Sequence, residues 1–241
     1  SVNMSDKRYL SMESLTFGYE SFLEWTPIMK QINSDYCDGV NRVIFHGSPF
    51  NRAYDASFNN YNSQYPGWSW GFMAWNSRQL WWNYAHGITD YIASVQSLLQ
   101  NGTCKVEVAI LRDKSDSFRF TSGDDYNRLM DNGYSYNIMS EQAFIHGQTA
   151  KKAFATNGMI YEEGPAYKAI ILDNNSYISA SMVDKLIQFS QAGVPILFVG
   201  NVPTMVYGTE SFEGENSYIA AKMTELLQQN NVAKIERLTV E

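Results

Sequence analysis

Glu13 lies near the end of a short strand-like run, Tyr9 to Leu15, one βα unit ahead of His46, which ends a second run, Asn41 to Gly47. A carboxylate at a strand end can move a proton or attack as a nucleophile. Cleaving a glycosidic bond takes two of them, one as acid and one as base or nucleophile. Glu13 is placed like one of such a pair. No comparable second carboxylate stands at another strand end, and Glu20 and Glu24 fall on the following helix, where a solvated face is expected. In an α/β barrel the strand carboxyl ends face the active site, which makes His46 a candidate for ligand binding, although a lone histidine is also a common structural group. His86, on a helix, and His146, in a loop, have weaker claims.

Five of the six tryptophans fall within fifteen residues: Trp68, Trp70, Trp75, Trp81 and Trp82. Pro66 and Gly67 lead into them, and Gly71, Asn76 and Arg78 lie between them. Flat aromatic faces among amides and charges suit sugar rings, which offer C–H faces for stacking and hydroxyls for hydrogen bonds. The competing explanation is an aromatic plug at a domain interface. Gly67-Trp68-Ser69-Trp70-Gly71 also matches G-x-S-x-G, the turn that exposes a serine nucleophile. That turn needs a strand immediately before the serine. The preceding Asn59 to Pro66 reads as a loop, so a serine hydrolase built on Ser69 is disfavoured.

The composition narrows the field. The chain has 241 residues, 44% hydrophobic and 15% aromatic, enough for one large domain or two modest ones with a sizeable core. A net charge of −7 leaves no basic footprint for a phosphate backbone, so no nucleic-acid partner is expected. No apolar run is long enough to span a membrane, and Ser1 to Arg8 carries no apolar signal segment. Two cysteines, Cys37 and Cys104, are too few for a disulfide framework or a zinc site. No metal or cofactor motif is present, and none is expected.

The elements that must position these residues follow from periodicity. Phe17 to Tyr36 reads as a helix with Phe22, Trp25, Ile28, Met29 and Ile32 on one stripe, Pro27 marking a kink or a second start, and Gly39 closing it. Asn41 to Gly47 reads as a strand buried on both faces. Residues 48 to 78 form a long loop, too aromatic for disorder. Gln79 to Gln100 reads as an amphipathic helix whose apolar face runs from Trp81 to Leu99, with Gly102 as its cap. From Cys104 the pattern becomes compact strand–helix alternation: strands at Val106–Leu111, Tyr134–Met139, Tyr167–Leu172, Val194–Val199 and Ala233–Thr239, and helices at Asp124–Asn132, from Ser181 to Gln191 behind a Ser181-x-x-Asp184 capping box, and at Ser217–Gln229. Repeated βα units with continuous apolar strands predict an α/β fold with a doubly wound parallel sheet, flavodoxin-like or amidotransferase-like, beginning near residue 103. Its strand ends carry Arg112-Asp113, Asp173-Asn174-Asn175 and Gly200-Asn201, polar loops without an obvious reaction centre.

The block Glu24-Trp25, Lys30 and Asp38-Gly39-Val40-Asn41-Arg42-Val43-Ile44-Phe45-His46-Gly47 resembles the last βα units of the catalytic barrel in large α-L-rhamnosidase-type glycoside hydrolases. In that family a loop of aromatics and an N-x-x-x-W-W-like stretch follow, here Trp75-Asn76-Ser77-Arg78-Gln79-Leu80-Trp81-Trp82. A helix then ends in L-x-Q-G, matched by Leu98 to Gly102 with one inserted residue, and the segments Gly133 to Ile138, Tyr167 to Leu172 and Ala192 to Phe198 continue the likeness. The resemblance covers roughly residues 9 to 205.

The resemblance implies that residues 1–102 are the last βα units of a (β/α)8-type catalytic barrel, and that residues 103–241 are a flavodoxin-like or class I amidotransferase-like accessory domain. It implies Glu13 as a catalytic carboxylate, with His46, Trp68, Trp70, Trp75, Asn76 and Arg78 binding a carbohydrate of a plant or microbial polysaccharide. A barrel takes on the order of 200 residues or more. The expected protein is therefore part of a glycoside hydrolase, a fragment or trimmed relative whose isolated chain hydrolyses little. Its uncovered barrel surface favours self-association. The alternative is a noncatalytic carbohydrate-binding or scaffolding module. Compartment is not fixed by these residues; a signal peptide on a parent chain would place it outside the bacterial cytoplasm.

Overall fold

The computed structural model describes residues 4–5, 7–14, 25–45, 75, 81–112, 127–146, 149, 151, 153–208 and 213–237. The fold is α/β, and the chain divides into two compact units, Lys7–Gly102 and a second made of Thr103–Glu241 with Ser1–Asp6.

The unit Lys7–Gly102 is built on two parallel strands, β1 (Ser11–Ser14) and β2 (Arg42–Phe45), joined through helix α1 (Trp25–Cys37). Ser11 lies beside Arg42, Glu13 beside Ile44 and Ser14 beside Phe45. Pro27 sits in the first turn of α1, where its missing N–H would find no intrahelical partner, so it is tolerated there. Gly39 closes the helix at φ +91°, and its N–H reaches the Tyr36 carbonyl at 3.0 Å. A short 3₁₀ turn, Trp82–Tyr84, leads into helix α2 (Ala85–Asn101). Ile28 and Ile32 of α1 meet Trp81, Ala85, Ile88 and Ile92 in one core, and Val43 and Phe45 of β2 pack against it. Burying each such side chain is worth roughly 1.5–3 kcal/mol.

Two expectations fail in this unit. The β2 strand is not buried on both faces: Val43 and Phe45 are half-buried against the helices, while Arg42 and Ile44 are exposed. Among the described residues, helices cover only one face of the pair. The apolar stripe of α2 also stops short, since Leu98 and Leu99 are exposed. The last turns of α2 meet β2 through polar groups instead. Gln96 Oε1 accepts from Val43 N at 2.6 Å and Gln100 Nε2 donates to the Asn41 carbonyl at 2.7 Å. Those glutamines share one face at four-residue spacing, and Leu98, on the opposite side of the helix, turns away from it. Gly102 leaves the helix extended (φ −99°, ψ 168°) rather than left-handed.

The second unit holds a five-stranded, wholly parallel sheet: β3 (Val108–Leu111), β4 (Tyr136–Met139), β7 (Ala169–Asp173), β8 (Ile196–Val199) and β9 (Val232–Ile235), in the spatial order β4-β3-β7-β8-β9. Successive residues feed different cores. Ala109, Leu111, Ile170 and Leu172 join Phe144 of helix α4 (Gln142–Ile145), Leu186 and Phe189 of α5 (Ala180–Gln191), and Ile219 and Met223 of α6 (Glu213–Leu226). Val108, Ile110 and Ile171 join Leu129 of α3 (Asn127–Asp131). Helices on both faces explain why β3 reads as an unbroken apolar run.

Helix α5 begins at Ala180, one residue earlier than the expected cap. Ser179, not Ser181, is its N-cap, and its hydroxyl accepts from Met182 N at 3.2 Å. A small antiparallel hairpin, β5 (Ala155–Thr156) and β6 (Met159–Ile160), was not anticipated. Its two-residue turn is Asn157-Gly158, both with positive φ, the residues that a tight hairpin turn demands.

Candidate functional site

Strand alternation sorts the first unit's candidates by face. Ser11 and Glu13 of β1 share a face with Arg42 and Ile44 of β2, and all four are exposed. Ser14 and Phe45 point to the opposite face, toward the helices. Glu13 is thus the one carboxylate among the described residues on the open face of this pair.

Two polar clamps hold β1 in that register. At its end, Ser14 Oγ donates to Asp35 Oδ2 at 2.6 Å, and Gln31 Nε2 donates to Asp35 Oδ1 at 2.7 Å. Asp35 is 2% exposed, and pairing compensates its burial. At the start of β1, Asn41 bridges the strands: its Oδ1 accepts from Leu10 N and its Nδ2 donates to the Arg8 carbonyl, both at 2.9 Å. This gives the asparagine of the Gly39-Val40-Asn41-Arg42 segment a physical task. Neither clamp was singled out as a candidate, although Gln31 and Asp35 stand four apart on one helix face.

Asp35 also charges its surroundings. Burial first, then the Tyr91 phenol and the Asp35 carboxyl, push Tyr36 up to about 12. Its hydroxyl is buried without a hydrogen-bond partner among the described residues. Asp38 is raised above the usual carboxyl range by burial and then by Asp35.

Of the expected sugar-binding residues, Trp75 lies among the described ones. It is half-buried and stacks on Phe45 with ring centroids 4.3 Å apart and planes at 24°. Trp81 and Trp82 lie 5.0 and 6.1 Å from it, centroid to centroid. Trp75 therefore packs on the helix-covered side of β2, opposite the face that carries Glu13. His46, Trp68, Trp70, Asn76 and Arg78 lie outside the described residues, as do Ser69, Glu20 and Glu24. His86 and His146 are exposed. Cys37 and Cys104 are exposed free thiols.

In the second unit the polar strand ends form a connected edge. Arg112, just past the end of β3, places Nε 3.5 Å from Oδ2 of Asp173, the last residue of the neighbouring strand β7. Asn174, at φ +51°, accepts on Oδ1 from Asn201 N at 3.2 Å. Among the described residues no cluster of histidine, cysteine and carboxylate side chains could hold a metal ion, and no helix is long and apolar enough to cross a membrane.

A family model, glycoside hydrolase family 106, described as alpha-L-rhamnosidase, matches residues 1–239. No curated protein and no solved structure matches the chain.

Proposed function

The chain belongs to the alpha-L-rhamnosidase family of glycoside hydrolases, and on that premise we propose that Glu13 is one of two carboxylates that cleave an O-linked α-L-rhamnoside. The observation that carries this reading is the position of Glu13: exposed near the end of a parallel strand, on the face away from the helix layer. In a (β/α)8 barrel that face is the inner one, and the strand ends form the active site. Residues 7–102 are then the closing βα units of the barrel. Residues 103–241 are a flavodoxin-like accessory domain, a reading supported by the strand order β4-β3-β7-β8-β9.

Glycoside hydrolysis needs a proton delivered to the leaving oxygen and a second carboxylate acting on the other side of the sugar ring. Glu13 supplies one role. Its partner would come from a different strand of the completed barrel, so residues 1–241 alone are expected to turn over little substrate. His46, Trp68, Trp70, Asn76 and Arg78 would line the glycone pocket from the loops after β2. Trp75 would brace that pocket through Phe45. The exposed Ile44 beside Glu13 supports self-association of the isolated piece.

The test is hydrolysis of an aryl α-L-rhamnoside by the full-length enzyme and its Glu13→Gln variant. Loss of about 10²–10⁴-fold in kcat with unchanged folding is expected. Full activity in the variant would reassign residues 7–102 to noncatalytic carbohydrate binding.

A further inference from the structure

Three connections meet at the carboxyl edge of the parallel sheet in the second unit, where ligands of such sheets bind. Tyr177 lies after β7, Tyr207 after β8 and Glu141 after β4. The rings of Tyr177 and Tyr207 stand 5.8 Å apart, centroid to centroid, with planes at 31°. Tyr207 is 38% exposed and Met205 beside it 41%. These rings are not loosely hung. Residues 177 and 205 form a parallel backbone bridge, and Ile178 N donates to the Met205 carbonyl at 2.9 Å. The Tyr207 hydroxyl donates to Glu141 Oε1 at 3.2 Å, while the buried Glu141 carboxylate also accepts from Ser179 N.

We propose that this tyrosine pair is a second carbohydrate-binding site, separate from the Glu13 site, that takes a pyranose of an extended oligosaccharide. The inference rests on the proposed carbohydrate role of the chain. The chemistry is that of sugar recognition: a partly exposed pair of aromatic rings for the C–H surface, with phenol oxygens for hydroxyls, while the buried Glu141 carboxylate holds the Tyr207 phenol in place. Preformed rings fixed by backbone pairing lose little entropy on binding.

The six tryptophans all lie between residues 25 and 82, so their emission reports the other unit alone. The intact chain is titrated calorimetrically with methyl α-L-rhamnoside and with a hexasaccharide ending in α-L-rhamnose, while tryptophan emission is followed in parallel. Hexasaccharide heat is expected to weaken about tenfold in Kd in Tyr207→Ala and in Tyr177→Ala, with the tryptophan response unchanged. Tyr207→Phe keeps the ring and is expected to lose only two- to threefold in Kd, and Tyr207→Leu, which keeps bulk without a π face, should behave like alanine. Glu13→Gln leaves this binding intact, so failure of the hydrolase reading and failure of this one are distinguishable. Equal affinities in wild type, Tyr177→Ala and Tyr207→Ala, or no hexasaccharide heat in the wild type, overturn the proposal.

Discussion

Ser14 donates its hydroxyl to Asp35 Oδ2 at 2.6 Å across the βα connection. Neighbouring residues of a strand point to opposite faces, so fixing Ser14 toward α1 fixes Glu13 away from it. A one-residue slip of β1 would reverse both side chains, sending a carboxylate into the apolar helix layer. The Asp35 clamp is therefore a register device for the residue proposed to do the chemistry.

Asp35→Ala leaves the Ser14 hydroxyl and the Gln31 amide buried or half-buried without their acceptor. Destabilisation of the Lys7–Gly102 unit by about 1–3 kcal/mol is expected. Urea titration read by tryptophan emission measures it directly, because every tryptophan lies in that unit. Unaltered unfolding would show that the clamp contributes nothing to stability.

Asn41→Ala removes two side-chain hydrogen bonds that tie the start of β1 to β2. A net loss of about 1–3 kcal/mol is expected by the same readout. Asn41→Asp keeps the acceptor for Leu10 N but sets a carboxylate oxygen against the Arg8 carbonyl, so it should rescue less than half of the loss. Hydrogen exchange at Leu10 N would speed in both variants if the bond is as described.

Tyr36 gives a pH dependence with a definite sign. Its phenol ionises near 10 in the unfolded chain and at about 12 in the fold. The unfolded state therefore sheds the proton first. Stability from this group is full below pH 10 and falls as pH rises from 10 through 12. Tyr36→Phe removes an unpartnered buried hydroxyl, so it is expected to be neutral to stabilising near pH 7 and to flatten the alkaline decline. Parallel alkaline melting curves for the two proteins would refute the assignment.

Gly158 and Gly200 both adopt φ +73°, yet they should respond differently to alanine. At Gly158 an added Cβ meets only the Gly193 carbonyl at 3.6 Å, an ordinary contact. The expected cost is that of the left-handed backbone, about 1–2 kcal/mol. At Gly200 the Cβ would stand 2.7 Å from Asn174 Oδ1, the atom that accepts from Asn201 N. Gly200→Ala is expected to cost more than Gly158→Ala in thermal melting of the second unit; the reverse order would contradict the packing at this edge.

Sequence periodicity alone determined the α/β class and the strand–helix alternation of the second unit, most clearly at β3, because a strand covered on both sides must be apolar throughout; the helix expected over Gln79–Gln100 begins only at Ala85, behind the Trp82–Tyr84 turn. The hairpin at Asn157-Gly158 escaped that reading although its residues suit a tight turn, because strands of two residues carry no periodicity. What periodicity could not reveal is which partner each face meets. The apolar residues of β2 gave no sign that Ile44 would be exposed, because burial depends on what other segments cover. Trp75 carried a sugar-stacking expectation, yet the fold lays it on Phe45 on the side away from Glu13. The Ser14, Asp35 and Asn41 clamps join residues 21 to 33 positions apart, and the Tyr177–Tyr207 pair joins two connections of the parallel sheet. Local spacing encodes elements; only the folding of those elements against one another brings such distant polar and aromatic groups within bonding distance.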